Sequence, residues 1–427
     1  MAKTKQSQKK IPKAKGIDNT IQLLKVGYPF IPDIMKKLNT QIFQTRLMGK
    51  KAICITGKEA ARLFYNPNYF IRQGANPMRV QKTLFGVNAI QGMDGTAHDM
   101  RKQLFLEIMA PERTDELKKL FLTKCEQAIP RWQQKKQICL FHESASLLCE
   151  SACEWCGVPI THKDARIRAH QFIQMIYAIG RVGPQYWKGK SSRKSTEKWI
   201  QTVISDVRDG KTVPKEGSAL ARITSYSDSD GNLLTDEAAA IELINVIRPI
   251  VAVSIYIVYA ALALHDYPQY EDRLKQQYQS YYHMFAQEVR RFYPVGPFLG
   301  ARVKKDFIWN EYQFKKGTLV FLDVYGMNSD PSIWKYPNVF CPDNFLNRKE
   351  DDYELLSQGG GDYKTGHRCP GEVLTIELIK QAVDLLVNRM EYTVPPQDLE
   401  YTLKKIPTLP ASGFVMSHIK KYNNAIN

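Results

Sequence analysis

The chain has 427 residues, 44% of them hydrophobic, which is enough apolar material for a sizeable buried core and excludes an intrinsically disordered chain. Near-average contents of glycine and proline also exclude a fibrous protein. The formal net charge of +17 favours an anionic partner, such as nucleic acid, a membrane surface, an acidic redox protein or an acidic substrate, although many surface lysines would explain it equally well.

The chain starts with a lysine-rich segment, residues 1–16, which predicts a flexible tail. This segment lacks the apolar run of a secretory signal, so we expect a cytoplasmic protein with reduced cysteines. Cys149, Cys153 and Cys156 fall on one amphipathic helical pattern, and a partnering Cys or His pair at zinc-finger spacing is missing. That arrangement favours cysteines in the core over a metal site.

Residues 17–427 predict one large domain that is mainly α-helical with a minor β region. Apolar residues recur at helical spacing from about residue 95 to residue 290, and this pattern returns over residues 371–390. Short β-like runs lie at 51–56, within 297–325 and at 412–416.

An uncharged apolar run, Pro249 to Leu264, lies within the helical region. Its sixteen residues fall short of the roughly 20 that a membrane-spanning helix needs, and Glu242 and Arg248 precede it. We therefore expect a long helix buried through the centre of the molecule, and no transmembrane segment.

A glycine-rich loop that ends in a cysteine carries the sharpest chemical signal. Its glycines allow backbone to approach a flat ligand closely, and the helix expected after Cys369 favours a thiolate through its dipole and free N–H groups. A haem iron ligated by Cys369 fits this pattern, with His367 and Arg368 near the propionates. A structural loop around a buried cysteine is the alternative. The segment runs Gln358-Gly359-Gly360-Gly361-Asp362-Tyr363-Lys364-Thr365-Gly366-His367-Arg368-Cys369-Pro370-Gly371-Glu372.

A second signal is the segment Glu288-Val289-Arg290-Arg291, whose spacing places Glu288 and Arg291 on one helix face, where they can join a buried ion-pair network. It is followed by Phe292-Tyr293-Pro294, the β-like pieces, Trp334-Lys335-Tyr336-Pro337 and then the cysteine loop. This order of motifs resembles the cytochrome P450 superfamily over nearly the whole chain beyond the tail. The resemblance implies a mainly helical fold, with haem b between a long central helix and the cysteine loop.

Four residues, at three places in the chain, depart from the superfamily pattern. Asp362 stands where a Phe usually precedes the cysteine by seven residues, and Asn344 stands where an Arg or His usually completes the Glu–Arg network, so we expect that network to be weaker. The central helix carries Arg248 and Pro249 where an acid–alcohol pair usually delivers protons to dioxygen. A buried arginine requires an anion, and a fatty acid would supply a carboxylate that also serves as the general acid–base group.

The Arg248-Pro249 pair and the cysteine loop together resemble the bacterial fatty-acid peroxygenase family, which uses hydrogen peroxide. Residues 84–95 and 410–416 resemble the same family. The resemblance implies an oxidoreductase that hydroxylates the α or β carbon of medium- to long-chain fatty acids. It also implies that no redox partner is obligatory and that no nucleic acid is bound.

The same resemblance implies roles for individual residues. Arg248 would hold the substrate carboxylate and Pro249 would shape the peroxide site. Gln91 stands where the hydroxylases carry glutamine and the alkene-forming decarboxylases carry histidine. Phe85 and Val295 would line the pocket, although both can be simple core residues. The implied haem contacts are Cys369 on the iron, with Arg72, His98, Arg101, His367 and Arg368 near the propionates.

Four other functions stay open: a decarboxylase that forms terminal alkenes, a monooxygenase that depends on a redox partner, a non-catalytic haem sensor, and a nucleic-acid-binding protein. The missing acid–alcohol pair argues against efficient activation of dioxygen, and a sensor does not require Arg248. No zinc-finger or aromatic RNA-binding signature supports binding of nucleic acid.

Overall fold

Helices make up most of the chain in the computed structural model, which describes residues 9–228, 230–276 and 280–422. Two π-helical turns, Gln81–Phe85 and Leu385–Arg389, and two 3-10 turns, Ile90–Gly92 and Pro342–Phe345, accompany the α-helices. The mainly helical fold predicted from the sequence is confirmed. The α-helices are α1 Thr20–Val26, α2 Phe30–Leu38, α3 Lys58–Phe64, α4 Met78–Val80, α5 Gly95–Ile108, α6 Pro111–Gln133, α7 Leu140–Cys156, α8 His162–Tyr177, α9 Pro184–Arg208, α10 Ala219–Thr224, α11 Asp236–Asp266, α12 Gln269–Gln276, α13 Ser280–Phe292, α14 Val324–Met327 and α15 Glu372–Asp384.

The minor β region forms three sheets among the described residues. The strands are β1 Ile42–Leu47, β2 Lys50–Ile55, β3 Phe70–Ile71, β4 Gln137–Cys139, β5 Phe298–Val303, β6 Phe307–Trp309, β7 Tyr312–Phe314, β8 Leu319–Asp323, β9 Met390–Thr393 and β10 Val415–Lys421. The largest sheet has the order β1-β2-β8-β5-β3, in which β2 and β8 run parallel and the other neighbours antiparallel. A three-stranded sheet β4-β10-β9 and the hairpin β6-β7 complete this region.

The central helix α11 passes through the main core and packs against α7, α9 and α15. It starts at Thr235, whose side-chain oxygen accepts a hydrogen bond from Ala238 N at 3.2 Å, and it continues past Pro249. It is long and apolar enough to cross a membrane, but 89% of its most apolar window is buried inside the protein. It is therefore a core helix, as predicted.

The lysine-rich tail is described only from residue 9, and residues 1–8 of the predicted flexible segment lie outside the described residues. Lys9 N donates to Glu311 O at 3.0 Å, and Ala14 N donates to Gln44 O at 2.9 Å. Residues 9–14 thus follow the edge of the largest sheet and the hairpin, because their backbone finds partners there.

Candidate functional site

The cysteine loop folds back on itself directly before α15. Cys369 N donates to Gln358 O at 2.9 Å, which closes the loop at its two ends. Gly360 has no room for a side chain, because a Cβ would lie 2.4 Å from Asp352 O. Burial raises the pKa of the Cys369 thiol, whereas the N–H of Gly371 at the start of α15 lowers it.

Beside the sulfur lies Gln358, the residue that precedes the three glycines. Its Nε2 is 3.9 Å from Cys369 Sγ and 2.9 Å from Thr375 Oγ1, and its Oε1 accepts from Arg290 Nε at 2.9 Å. Arg290 also pairs with Glu372. The sequence interpretation did not single out Gln358, because its distance from Cys369 along the chain hides this contact.

The predicted Glu–Arg network is present and fully buried. Arg291 binds Glu288 through Nε at 2.7 Å and Nη2 at 2.6 Å. Asn344 Nδ2 donates to Glu288 Oε1 at 3.2 Å, and its Oδ1 accepts from Tyr336 N at 2.9 Å. Asn344 therefore occupies the third place in the network with hydrogen bonds and without a charge, which agrees with the expectation of a weaker network.

A group of cationic and imidazole side chains lies next to the cysteine loop. The rings of His98 and His367 are 4.0 Å apart, and Lys102 Nζ donates to Arg368 O. The buried guanidinium of Arg72 lies 4.3 Å from the ring of Phe64, and its one hydrogen bond to a described residue is long, 3.5 Å to Phe64 O.

Charge at this group is unbalanced. Burial lowers the pKa of Arg72 and lowers that of Lys102 to about 8. Asp94 accepts the backbone N–H groups of Arg72 and Gln73 and lies 3.5 Å from His367 Nε2. Buried cations that have no full anionic partner suit an additional dianion, and the two propionates of a haem beside the Cys369 loop fit this requirement.

Two of the predicted propionate contacts have other partners. Arg101 Nη1 donates to Glu242 of α11 at 2.5 Å. Arg368 pairs with Glu372 at 2.5 Å and with Asp352 at 2.6 Å. The structure therefore groups Arg72, His98 and His367, although His98 lies 3.2 Å from Asp99 and His367 lies 3.5 Å from Asp94. It directs Arg101 and Arg368 into short ion pairs with other carboxylates.

Lys102, which the sequence interpretation missed, joins that group in their place. His98 and Lys102 are four residues apart on α5 and thus share one face of the helix. This spacing was the available signal in the sequence.

Arg248 lies on the central helix and is 94% buried, since only 6% of its surface is exposed. Its Nη2 donates to Asn245 Oδ1 at 3.2 Å, and its Nε has no hydrogen-bond partner among the described residues. Burial, together with a smaller effect of the nearby charge of Arg193, lowers the pKa of Arg248 to about 9. The guanidinium is therefore poised to gain an anion.

The segment 84–91 lies against Arg248 and is held by side chains of two helices. Arg193 Nη1 of α9 donates to Leu84 O at 2.7 Å, and Asn245 Nδ2 of α11 donates to Phe85 O at 2.8 Å. Glu242 Oε1 accepts from Ile90 N at 3.2 Å. These contacts fix both ends of the segment, as they satisfy backbone groups left free where the π-helix ends.

A cavity of about 430 Å³ runs along this segment. Arg72, Phe85, Gly86 and Gln91 are among the residues that line it. Arg248 Cζ lies 5.8 Å from the centre of the Phe85 ring, and Gln91 Oε1 is buried without a partner among the described residues. Pro249, next to Arg248, is partly buried on α11. Val295 packs against the main core and accepts a hydrogen bond from Tyr28 Oη at 3.0 Å.

Comparison with protein families and solved structures supports one assignment throughout. The family model Cytochrome P450 matches residues 255–418. The structure of cytochrome P450EX alpha (CYP152N1) with myristic acid has 39% identity and a TM-score of 0.93, over 97% of this chain and 100% of that one. A mutant of cytochrome P450SP alpha (CYP152B1) has 38% identity and a TM-score of 0.93, over 95% and 100%. A variant of cytochrome P450 OleT in complex with arachidonic acid has 33% identity and a TM-score of 0.95, over 98% and 100%.

Curated relatives match over a shorter region. Ferruginol synthase from Salvia miltiorrhiza is 36% identical over 117 residues, which are 26% of this chain and 23% of that protein. Sugiol synthase from the same plant is 32% identical over 123 residues, or 28% and 24%. The matched region thus spans about a quarter of the curated relatives' length.

Proposed function

The chain belongs to the CYP152 group of the cytochrome P450 superfamily, and we propose that it is a hydrogen-peroxide-dependent hydroxylase of fatty acids. The group consists of oxidoreductases that hydroxylate or decarboxylate fatty acids, and its cofactor is haem b with a cysteine thiolate as axial ligand. When bound, haem with a thiolate ligand favours cleavage of the O–O bond of the oxidant. Cys369 would be the ligand, and Arg72, His98, Lys102 and His367 would hold the propionates.

The observation that carries the proposal is the buried Arg248 guanidinium without a carboxylate partner. Within the described chain, the charged groups that act on it are Arg193 and the Cys369 thiol. A fatty-acid carboxylate would balance this charge and accept a two-pronged hydrogen bond from the guanidinium. Because Arg248 occupies the place of the usual acid–alcohol pair, the bound carboxylate would itself hold and return the proton that peroxide activation requires.

The neighbouring residues would then set where the substrate lies. Asn245 holds Arg248 through Oδ1, so the carboxylate would be fixed near Phe85, next to the cavity. Phe85 and Gln91 line that cavity, and they would guide the first carbons of the acyl chain. An acid anchored by its carboxylate presents its α and β carbons to the reactive centre first, which supports oxidation at those positions.

These observations support two other functions less well. A monooxygenase that depends on a redox partner would need a protein proton relay on α11, where Arg248 and Pro249 stand. An alkene-forming decarboxylase is the closer alternative, because the group contains both activities. The neutral side chain of Gln91 favours hydroxylation over decarboxylation.

The test compares Arg248→Ala with Arg62→Ala, which removes a largely exposed arginine that pairs with Glu59 and Asp351. Arg248→Ala should lower kcat/KM for fatty-acid oxidation with peroxide by roughly 100-fold or more, because anchor and proton relay are lost together. Arg62→Ala should leave it unchanged. A fatty alcohol of matched length should be a poor substrate of the parent protein. Normal fatty-acid oxidation by Arg248→Ala would contradict the proposal.

A further inference from the structure

Basic residues are concentrated in two segments of the chain, and the proposed reaction uses none of them except Arg72. Residues 166–204, all described, contain eight basic residues and a single acidic one, Glu197, which pairs with buried Arg193 at 2.6 Å. Residues 60–93 contain four basic residues and no acidic residue. The two segments meet, because Arg79 Nη2 donates to Arg181 O at 3.1 Å and Arg79 lies 4.2 Å from the Tyr186 ring.

Helix α9 presents part of this charge as a line along its exposed face. Lys190, Lys194 and Lys198 recur at four-residue spacing and are all exposed, and they continue a line that begins at Trp187. Buried residues of α9, such as Arg193 and Ile200, lie on the other side of the helix. We call Lys190, Lys194 and Lys198 the cationic stripe.

Exposed apolar side chains lie beside the cavity and where the two segments meet, next to this stripe. Their exposed fractions are 51% for Met78, 40% for Val87, 63% for Val182 and 64% for Trp187. Met78 lines the cavity itself, and Val87 lies between two residues that line it. We call these four residues the mouth patch.

We propose that the mouth patch and the cationic stripe bind the surface of an anionic lipid bilayer. Lysines gain energy from an anionic lipid surface, and a tryptophan or valine next to them gains by entering the boundary between headgroups and acyl chains. Nucleic acid would use the lysines but would leave the mouth patch in water. The choice of a membrane rests on the proposed function, because a bilayer holds the fatty acid that the adjacent cavity would receive.

The experiment is co-sedimentation of the haem-loaded full chain with vesicles of phosphatidylcholine alone, or of phosphatidylcholine with phosphatidylglycerol. The protein should sediment with the anionic vesicles, should dissociate from them as the salt concentration is raised, and should not sediment with the neutral vesicles. Since each lysine near such a surface contributes about fivefold in affinity, Lys190→Glu with Lys194→Glu should weaken binding by at least about tenfold. The matched control, Lys335→Glu with Lys349→Glu, makes the same charge change at exposed residues of another segment and should not weaken it.

Apolar insertion is tested separately. Trp187→Ser with Val182→Ser should weaken binding, whereas Val339→Ser, at an exposed valine of another segment, should not. Trp187→Phe should keep binding but lose most of the blue shift of tryptophan emission on vesicle addition.

Three results would overturn the inference. They are no binding to anionic vesicles, equal weakening of vesicle binding by the control variants, or binding of double-stranded DNA as tight as that of vesicles and unchanged in the mouth-patch variants. The inference and the proposed function fail independently. Vesicle binding needs no turnover, and oxidation of a dispersed fatty acid needs no vesicle.

Discussion

At the residue scale, neighbouring side chains on a helix take different roles because each step along the helix turns by about 100°. Arg101 faces Glu242 on α11, whereas Lys102 faces the carbonyl of Arg368 in the cysteine loop. The sequence predicts a cation beside the cysteine loop but does not show which of these two adjacent residues supplies it, because the partner of each lies more than a hundred residues away. Cys369 and Arg248 could be named as candidates because each lies in a distinctive local sequence, the glycine-rich loop and the Arg-Pro pair beside an apolar run.

Asn245 is expected to position the carboxylate anchor. It accepts from Arg248 Nη2 and donates to Phe85 O, so Asn245→Ala should free both groups. We expect fatty-acid affinity, measured by the optical shift of the haem, to fall by roughly tenfold or more, because a hydrogen bond to a charged group is lost. Asn245→Asp should weaken binding further, since it places an anion beside Arg248 where the substrate carboxylate belongs.

The matched control is Ser254→Ala, one of the buried polar residues on the same helix, whose Oγ donates to Val251 O at 2.8 Å. It should lower stability slightly and leave fatty-acid affinity unchanged. Equal loss of affinity in both variants would mean that Asn245 acts only by stabilising α11.

Gln91 is expected to direct the outcome toward hydroxylation. A substrate radical next to the carboxylate either gains a hydroxyl group or loses an electron and then carbon dioxide to leave a terminal alkene. Glutamine cannot exchange a proton near neutral pH, whereas histidine can. Gln91→His should therefore raise the ratio of terminal alkene to 2- and 3-hydroxy acid, measured from one saturated fatty acid. An unchanged ratio would remove Gln91 as the determinant.

At the scale of elements, the periodic segments were predictable and the irregular ones were not. The 31-residue helix α11 followed from its apolar run, and it tolerates Pro249 because most of its other residues are buried in the core. The π-helical turn at 81–85 and the loop to Gln91 have no periodic signal. Their shape depends on Arg193, Glu242 and Asn245, which come from distant helices.

The junction of β8 and α14 should make stability depend on pH. Asp323 is fully buried there and accepts from Gly326 N at 2.9 Å, and burial raises its pKa to about 7. The folded state thus binds the proton more tightly than the unfolded state, so stability is greatest at acid pH and falls as pH rises toward 7.

Asp323→Asn keeps the acceptor for Gly326 N and removes the charge. Relative to the parent, the variant should become more stable from pH 5 to pH 8, by up to about 3 kcal/mol, as judged from urea unfolding at the two pH values. A stability difference that is the same at both pH values would show that Asp323 is not the titrating group.

At the scale of the molecule, the order of motifs along the chain was sufficient to predict the fold. The buried central helix, the Glu288–Arg291 pair and the cysteine loop each occupy a fixed place around one core. The distribution of the +17 charge could not be predicted, since net charge does not reveal which exposed faces carry it. Only the folded chain brings residues 60–93 and 166–204 together at the cavity opening.

The most direct test of the account is product analysis from the purified, haem-loaded protein with hydrogen peroxide and myristic acid, and without any reductase. We predict 2-hydroxy and 3-hydroxy acids as the main products, because Arg248 would hold the carboxylate and leave the adjacent carbons nearest the reactive centre. Unchanged myristic acid, terminal alkene as the main product, or oxidation that occurs only when a reductase and its electron donor are added would contradict the account.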